Sequence, residues 1–250
     1  MKEVNKIKEN KLDNIDNQEE EKSISKRTTK KISKKTNKLD NIKKESIDNY
    51  KYERELKEKG IKLIAGVDEV GRGPLIGPVV AAAVILPDNF KLDGLTDSKK
   101  LSEKKREQYY EIIKKEAISI GIGVISEKRI DEINIYEATK EAMKQAIDNL
   151  SVKPEHILID AMPLDLEIET TSIIKGDLLS ITISAASVIA KVTRDHMLYD
   201  IDKEYPMYDL KNNKGYGTKK HIEAIKQYGI TKYHRLSFKP VFDNKDKINN

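Results

Sequence analysis

Residues 65–80 read AGVDEVGRGPLIGPVV and join an apolar segment, two carboxylates and a loop of glycine and proline. The apolar run at 62–67 predicts a strand, and the run at 79–86, bounded by two prolines, predicts a second. The carboxylates Asp68 and Glu69 follow the first strand directly. This stretch therefore predicts a sheet edge that carries negative charge beside a tight loop.

Strands and helices alternate through the rest of the chain. We predict further strands at 118–125, 156–160 and 167–174, a short segment at 127–133, and helices at 102–117, 136–150, 180–202 and 218–228. Ser102 and Thr218 are the expected helix caps. Strands mixed with helices over residues 59–250 predict one α/β domain in which helices cover a sheet.

The composition excludes several classes of site and protein. The chain has 250 residues with no Cys and four His, which rules out disulfides, thiol chemistry and Cys-ligated metals and disfavours a His-built zinc site. Any metal is expected to bind through oxygen. No apolar run is long enough to span a membrane and the amino terminus has no apolar secretory segment, so we expect a cytoplasmic protein.

The net charge of +5 is concentrated at the amino terminus. Residues 1–60 hold 18 Lys and Arg against 13 Asp and Glu, whereas residues 61–250 hold 29 of each. The segment 23–44 carries nine basic residues against one acid, as expected of a segment that meets a polyanion. The same composition is typical of a solvated tail. The two interpretations are compatible, and we predict that residues 1–58 form a basic, flexible extension.

Two structural interpretations compete for Asp68 and Glu69. Arg72 follows closely and would make an ordinary salt-bridged turn, since buried carboxylates need a cationic partner. The glycines within 71–77 suggest a dinucleotide loop, but that requires a helix directly after them, and a strand follows instead. A loop whose backbone comes close to a ligand explains the glycines better.

Asp160 ends the apolar run 157–160 in the same way that Asp68 ends its own strand. Carboxylates at the ends of neighbouring strands can converge, and such a group binds hard divalent cations through oxygen. Asp177 is either a further oxygen ligand or a helix N-terminal acid favoured by the dipole. Asp195 is a rival candidate, but Lys191 and Arg194 offer it local pairing.

Seven motifs together resemble bacterial ribonuclease HII over residues 60–240: AGVDEVGRGPLIGPVVAAAVILP, LTDSKKLS, ILIDA, KGD, ISAASVIAKVTRD, GYGTKKH and HRLSF. The resemblance implies a ribonuclease H-like fold, a mixed five-stranded sheet with helices on both faces. It implies an endonuclease that cuts the RNA strand of RNA–DNA hybrids and nicks duplex DNA 5′ of embedded ribonucleotides. The implied products carry a 5′-phosphate and a 3′-hydroxyl.

The resemblance also assigns roles to individual residues. It implies that Asp68, Glu69, Asp160 and Asp177 are the catalytic acids of a two-metal site for Mg²⁺ or Mn²⁺. It implies that Gly71, Arg72 and Gly73 recognise the ribose 2′-hydroxyl and grip a phosphate, and that Tyr216 stacks on the sugar of the next nucleotide. Lys99, Lys100, His221, His234 and Arg235 are expected to contact phosphate or to support the site. Ala161 replaces a glycine common in the family, and we expect little effect.

Two alternatives remain. The first is the sister family ribonuclease HIII, which shares the fold and acids but has another glycine loop and a folded amino-terminal domain. The second is a non-catalytic nucleic-acid-binding protein, in which four acids grouped in the binding groove would only repel phosphate. The resemblance implies a protein that acts as a monomer on hybrids and ribonucleotide-containing duplexes. We expect no clamp-docking peptide, because residues 243–250 lack an aromatic anchor.

Overall fold

The computed structural model describes residues 48–246, which contain a five-stranded sheet. The strands are β1 Ile64–Val70, β2 Val79–Ile85, β3 Ser119–Ile125, β4 His156–Asp160 and β5 Thr170–Ile173. Their order across the sheet is β3-β2-β1-β4-β5. Strand β1 pairs antiparallel with β2, and β2 with β3, whereas β1, β4 and β5 run parallel. The mixed five-stranded sheet is confirmed.

Helices pack on both faces of this sheet. They are α1 Lys51–Glu58, α2 Glu103–Glu116, α3 Glu127–Asp148, α4 Gly176–Leu179, α5 Ile181–Glu204, α6 Leu210–Asn213, α7 Lys219–Tyr228 and α8 Lys239–Phe242. Successive residues of a strand point to opposite faces. On β2, Ala81 and Ala83 therefore join Met143 of α3 in one buried cluster, whereas Ala82 and Val84 join α2 and α5 in another.

Two glycines let helices approach the sheet closely. A Cβ at Gly66 of β1 would lie 2.1 Å from the Thr182 carbonyl carbon of α5, and one at Gly123 of β3 would lie 1.9 Å from the Ala142 oxygen of α3. Such distances leave no room for a side chain. The contact at Gly66 places the start of α5 directly over the strand that carries Asp68.

Two of the differences between the observed and the predicted elements lie in β1 and α3. Strand β1 continues to Val70, so Asp68 and Glu69 lie inside the strand and not after it. The segment 127–133 and the helix predicted at 136–150 form one helix, α3, with a kink at Asn134, where φ is 70° and ψ is 165°. The Asn134 side chain accepts hydrogen bonds from the N–H groups of Tyr136 and Glu137, which restarts the helix. The caps at Ser102 and Thr218 are confirmed.

The compact unit begins at Asp48, eleven residues before the boundary that we predicted at 59. Helix α1 is the reason. Its Glu53 is buried and accepts hydrogen bonds from Ser180 Oγ at 2.6 Å, Thr182 Oγ1 at 2.8 Å and Thr182 N at 3.1 Å. Residues 48–58 thus belong to the compact unit, where Glu53 caps the start of α5. The remainder of the predicted extension, residues 1–47, lies outside the described residues.

Within residues 48–246, no helix combines the length and apolar composition needed to cross a membrane.

Candidate active site

Three acids meet at the carboxyl ends of β1 and β4. The parallel register pairs Val67 with Ile159, so the next residue of each strand, Asp68 and Asp160, is an acid at the same edge. Asp177 lies in α4, which follows β5. Its short helix is tied to β4, because the N–H of Gly176 donates to Asp160 Oδ1 at 2.7 Å. The sheet therefore brings together acids that are far apart in sequence.

These acids differ in burial. Asp68 is 6% exposed and Asp177 is 8% exposed, whereas Glu69 and Asp160 are half-buried. Glu69, as the strand period requires, points away from the side taken by Asp68, and its carboxylate pairs with Arg72 Nη1 at 3.4 Å. The salt-bridged turn expected as an alternative is therefore present for Glu69. Within residues 48–246, neither Asp68, Asp160 nor Asp177 has a salt bridge with a basic side chain.

Burial and mutual repulsion raise the pKa of all four acids. Burial raises the pKa of Asp68 well above its ordinary value, and the carboxylates of Glu69 and Asp160 raise it further. The pKa of Asp160 is raised by burial, although the N–H of Gly176 opposes this. Burial and then the charge of Asp160 raise the pKa of Asp177. Burial also raises the pKa of Glu69, against the charge of Arg72. The site is short of positive charge.

Two serines that were not among the predicted site residues support Asp68. Ser187 of α5 hydrogen-bonds the Asp68 carboxylate, and its hydroxyl also lies 2.9 Å from that of Ser98. The N–H of Glu69 donates to Asp68 Oδ1 at 2.7 Å. Ala185, Ala186, Ser187 and Ala190 of α5 are small residues of the kind that allow close packing on a sheet, but nothing in the sequence indicated which serine would reach the acid.

Lys99 and Lys100 form a 3₁₀ turn at Ser98–Lys100 whose start is capped by the Asp97 side chain. Burial lowers the pKa of Lys99, but Asp68, Asp97 and Asp177 outweigh it, so that the net shift is upward. The charge of Lys100 acts on Asp177. Both lysines are exposed. They are thus placed beside the acids with their ammonium groups accessible.

The glycine loop faces a tyrosine. Gly71 has φ of +95°, which disfavours any side chain, and a Cβ there would lie 2.3 Å from Nε of Arg194. A Cβ at Gly73 would lie 3.3 Å from Cε1 of Tyr216, which is itself 48% exposed. Gly73 and Tyr216 therefore border one open surface next to Glu69 and Arg72.

His221, His234 and Arg235 do not face solvent. They are 0%, 2% and 0% exposed, so the expectation of phosphate contacts is wrong for them and the expectation of support holds. Nε2 of His221 lies 3.3 Å from Nε2 of His234. Arg235 donates to the carbonyls of Gly71, Arg72 and Gly77. All three residues brace the loops that border the acids.

Asp195 is buried and takes no part in the acid group. Lys191 Nζ donates to Asp195 Oδ1 at 2.7 Å, which confirms the expected local pairing. Arg194 instead donates to the carbonyls of Ile76, Pro78 and Lys214. Asp195 is therefore a paired structural acid.

Ala161, directly after Asp160, has φ of 50°. This left-handed conformation costs a residue with a Cβ about 1 kcal/mol. The replacement of glycine here is therefore less neutral than we expected.

The four acids offer a metal ion only oxygen ligands. Among the residues that the structure describes, no three His, Asp or Glu side chains are spaced to hold a metal ion as they stand. The donor chemistry nevertheless fits a hard divalent cation, because it consists of carboxylates alone. The raised pKa values of Asp68, Asp160 and Asp177 fit as well, since a bound cation would stabilise the ionised carboxylates that burial and their neighbours disfavour.

Comparison with known proteins gives one family. The family described as Ribonuclease HII matches residues 65–241, which include the acids, the glycine loop and Tyr216. The chain belongs to the ribonuclease HII family. Curated Ribonuclease HII proteins of Bacillus mycoides and Bacillus cereus are each 60% identical to this chain over 192 residues, 77% of this chain and 75% of theirs. As a family member, the chain is a ribonuclease H endonuclease of RNA–DNA hybrids.

Solved structures agree with the fold. Ribonuclease H2 from Pyrococcus horikoshii matches with a TM-score of 0.64 and 27% identity, covering 74% of this chain and 97% of that one. An Archaeoglobus fulgidus ribonuclease HII, solved in complex with PCNA, matches with a TM-score of 0.61 and 28% identity over 70% of this chain and 95% of that one. A Bst ribonuclease HIII solved with Mn²⁺ has a TM-score of 0.55 but only 16% identity over 73% of this chain and 69% of that one, and so shares the fold alone. The identities favour HII over HIII.

Proposed function

We propose that Asp68, Glu69, Asp160 and Asp177 bind two divalent cations and cleave the phosphodiester on the 5′ side of a ribonucleotide. The observation that carries this proposal is the burial of Asp68 next to Glu69 and Asp160, without a salt bridge to a basic side chain among the described residues. A buried carboxylate with like-charged neighbours is costly unless a cation neutralises it. This arrangement of carboxylates does not stabilise the fold.

The side chains around the proposed metal site have different roles. When bound, Mg²⁺ or Mn²⁺ supplies an activated water and neutralises charge on the phosphate in the transition state. Asp68 and Asp160 are held rigidly for this task, Asp68 by Ser187 and the N–H of Glu69, and Asp160 by the N–H of Gly176. Lys99 lies beside the acids, where its ammonium group can attract the scissile phosphate.

The loop at Gly71, Arg72 and Gly73 with Tyr216 supplies the choice of substrate. The 2′-hydroxyl is the mark that distinguishes a ribonucleotide within DNA, and exposed backbone groups of the loop can contact it. The half-exposed Tyr216 ring offers a flat apolar surface to the neighbouring sugar. The proposed substrates are therefore RNA–DNA hybrids and duplex DNA with single embedded ribonucleotides. The proposed products carry a 5′-phosphate and a 3′-hydroxyl.

The test uses a DNA duplex with one ribonucleotide, incubated with the protein and Mg²⁺ or Mn²⁺. Asp68→Asn and Asp160→Asn remove one carboxylate each, and Asp148→Asn, at the exposed end of α3, is the matched control. We expect metal-dependent cleavage 5′ of the ribonucleotide by the wild type and the control, and none by the two site variants.

Two other results would point to the alternatives. Cleavage restricted to long RNA–DNA hybrids would favour substrate use like that expected of ribonuclease HIII. Binding of the duplex without cleavage under any divalent metal would favour a non-catalytic binding protein. Chain mass measured by light scattering on the same samples tests the expected monomer.

A further inference from the structure

Arg235 is fully buried, yet among the described residues its guanidinium hydrogen-bonds only backbone carbonyls. Nη2 donates to the carbonyl of Gly71 at 2.6 Å, Nη1 to that of Arg72 at 3.1 Å and Nε to that of Gly77 at 2.9 Å. Within residues 48–246, Arg235 has no salt bridge. Burying a guanidinium is costly unless its donors are satisfied, and an apolar side chain would fill the volume without that cost. We therefore expect the planar guanidinium of Arg235 to fix the orientation of the loop's peptide groups.

The effect of this orientation follows from the planarity of the peptide bond. In a trans peptide the C=O and the N–H of the same plane point in opposite directions, and the described residues contain no cis peptide. Because the Gly71 carbonyl points at Arg235, the N–H of Arg72 points away from it. The Arg72 carbonyl orients the N–H of Gly73 in the same way. Arg235 thus aims two successive N–H groups away from the protein interior.

These two N–H groups are free to bind a ligand. Arg72 and Gly73 are exposed, and neither N–H donates a hydrogen bond to any other part of the described chain. A Cβ at Gly73 would lie 3.3 Å from Cε1 of Tyr216, and Arg72 pairs with Glu69 at 3.4 Å. The pair of donors therefore lies between the tyrosine and the acids.

The segment that carries Arg235 is itself fixed. The Asp131 carboxylate of α3 accepts hydrogen bonds from the N–H groups of Leu236 and Ser237, both at 2.8 Å. The N–H of Arg235 donates to the Leu75 carbonyl at 2.9 Å. The guanidinium therefore grips the loop from a rigid base.

We propose that Arg235 is a positioning residue that sets the N–H groups of Arg72 and Gly73 to donate to the 2′-hydroxyl oxygen of the ribonucleotide. Ribose gains two hydrogen bonds from these donors, whereas a deoxynucleotide leaves both donors without an acceptor. The arrangement therefore favours ribose both by stabilising its binding and by weakening that of deoxyribose. The inference rests on the proposed function, because it explains how that site distinguishes ribose from deoxyribose.

The test measures the affinity of two duplexes in Ca²⁺, one with a single ribonucleotide and one of DNA alone. Arg235→Lys keeps the charge but cannot donate to three carbonyls in a plane. Arg235→Gln, which keeps a planar amide, provides a second variant if the first does not fold. Met143→Ala, buried on the opposite face of the sheet, is the control for lost stability. The ratio of the two affinities is independent of the folded fraction.

We expect the Arg235 variants to lose about fivefold or more of the wild-type preference for the ribonucleotide duplex, and Met143→Ala to keep it. Several results would overturn the inference: an unchanged ratio in folded Arg235 variants, an equal fall in Met143→Ala, or a wild type that cuts at the ribonucleotide but binds both duplexes alike. A wild type that neither prefers nor cuts the ribonucleotide duplex would instead refute the proposed function.

Discussion

The acids and the glycine loop border one surface but are built by different means. Asp68 and Asp160 are placed by strand register, within a ladder of backbone hydrogen bonds. The loop at 71–78 has only an isolated antiparallel bridge between Ile76 and His234 within the described residues, and two buried arginines, Arg194 and Arg235, hold most of its carbonyls. The difference shows that the sheet fixes Asp68 and Asp160 through its backbone pairing, whereas the backbone of the recognition loop is held in place by buried side chains.

The two regions also carry opposite charge without direct pairing across them, apart from the Glu69–Arg72 contact within the described residues. The acid group is short of cations, and burial lowers the pKa of Arg194 to about 10 and that of Arg235 to about 9. Both arginines remain protonated at neutral pH. Substitutions can therefore alter the acid group and the glycine loop separately.

The largest effect is expected from Asp68→Asn, which breaks the acid group alone. We expect turnover to fall roughly 1000-fold, because a ligand of the reacting metals is lost. Without metal, the free energy of unfolding at pH 8 should rise by about 1 kcal/mol, since a buried like charge is removed. Activity assays and urea unfolding measure the two quantities.

Asp195→Asn is the matched control for that prediction, because Asp195 is equally buried but paired with Lys191. It should keep its turnover and lose about 3 kcal/mol of stability, as expected when one partner of a buried pair is removed. If Asp68→Asn were the variant that lost stability and kept turnover, the roles of the two acids would have to be exchanged.

A smaller effect is expected from Tyr216→Ala, which alters the recognition surface and leaves the acids intact. Loss of the ring should lower kcat/KM on the single-ribonucleotide duplex about tenfold, the cost of one lost stacking contact. Tyr216→Phe keeps the ring and should stay close to the wild type. Equal losses in both variants would show that the hydroxyl, and not the ring, matters.

The buried histidines make the loop region sensitive to acid. Burial and the nearby His221 lower the pKa of His234 to about 3, whereas an unfolded histidine titrates near 6.5. The unfolded state therefore binds more protons between these values, so stability is full above pH 6.5 and falls as pH drops towards 3. Urea unfolding should show a loss of about 1.4 kcal/mol per pH unit. His234→Asn should flatten this slope, and His196→Gln, on the exposed surface, should not.

The smallest effect on turnover is expected from removal of residues 1–47. Their basic segment at 23–44 should add non-specific affinity, so the truncated protein should show a higher KM and a shallower dependence of binding on salt. The cut keeps Asp48 and α1, which belong to the compact unit. A salt slope identical to that of the full chain would contradict the proposed role of this segment.

The sequence predicted most of the sheet and marked the acids as candidate site residues because both have strong local signals. Apolar runs marked β1, β2 and β4, and each of Asp68 and Asp160 directly follows such a run. The kink at Asn134 and the role of α1 could not be predicted, since they depend on side chains that meet only in the folded chain. Which of the two expected roles Arg235 has, phosphate contact or support, could not be predicted for the same reason. Nothing local distinguishes an arginine that binds phosphate from one that holds three carbonyls.

The most direct test of the central claim is a calorimetric titration of Mn²⁺ into the wild type, Asp160→Asn and Arg235→Lys without nucleic acid. If the acids alone hold the metal, the wild type and Arg235→Lys should bind Mn²⁺ alike, and Asp160→Asn should bind it at least tenfold more weakly. Equal Mn²⁺ binding by the wild type and Asp160→Asn would contradict the account, because the acids at the sheet edge would then not be the metal site.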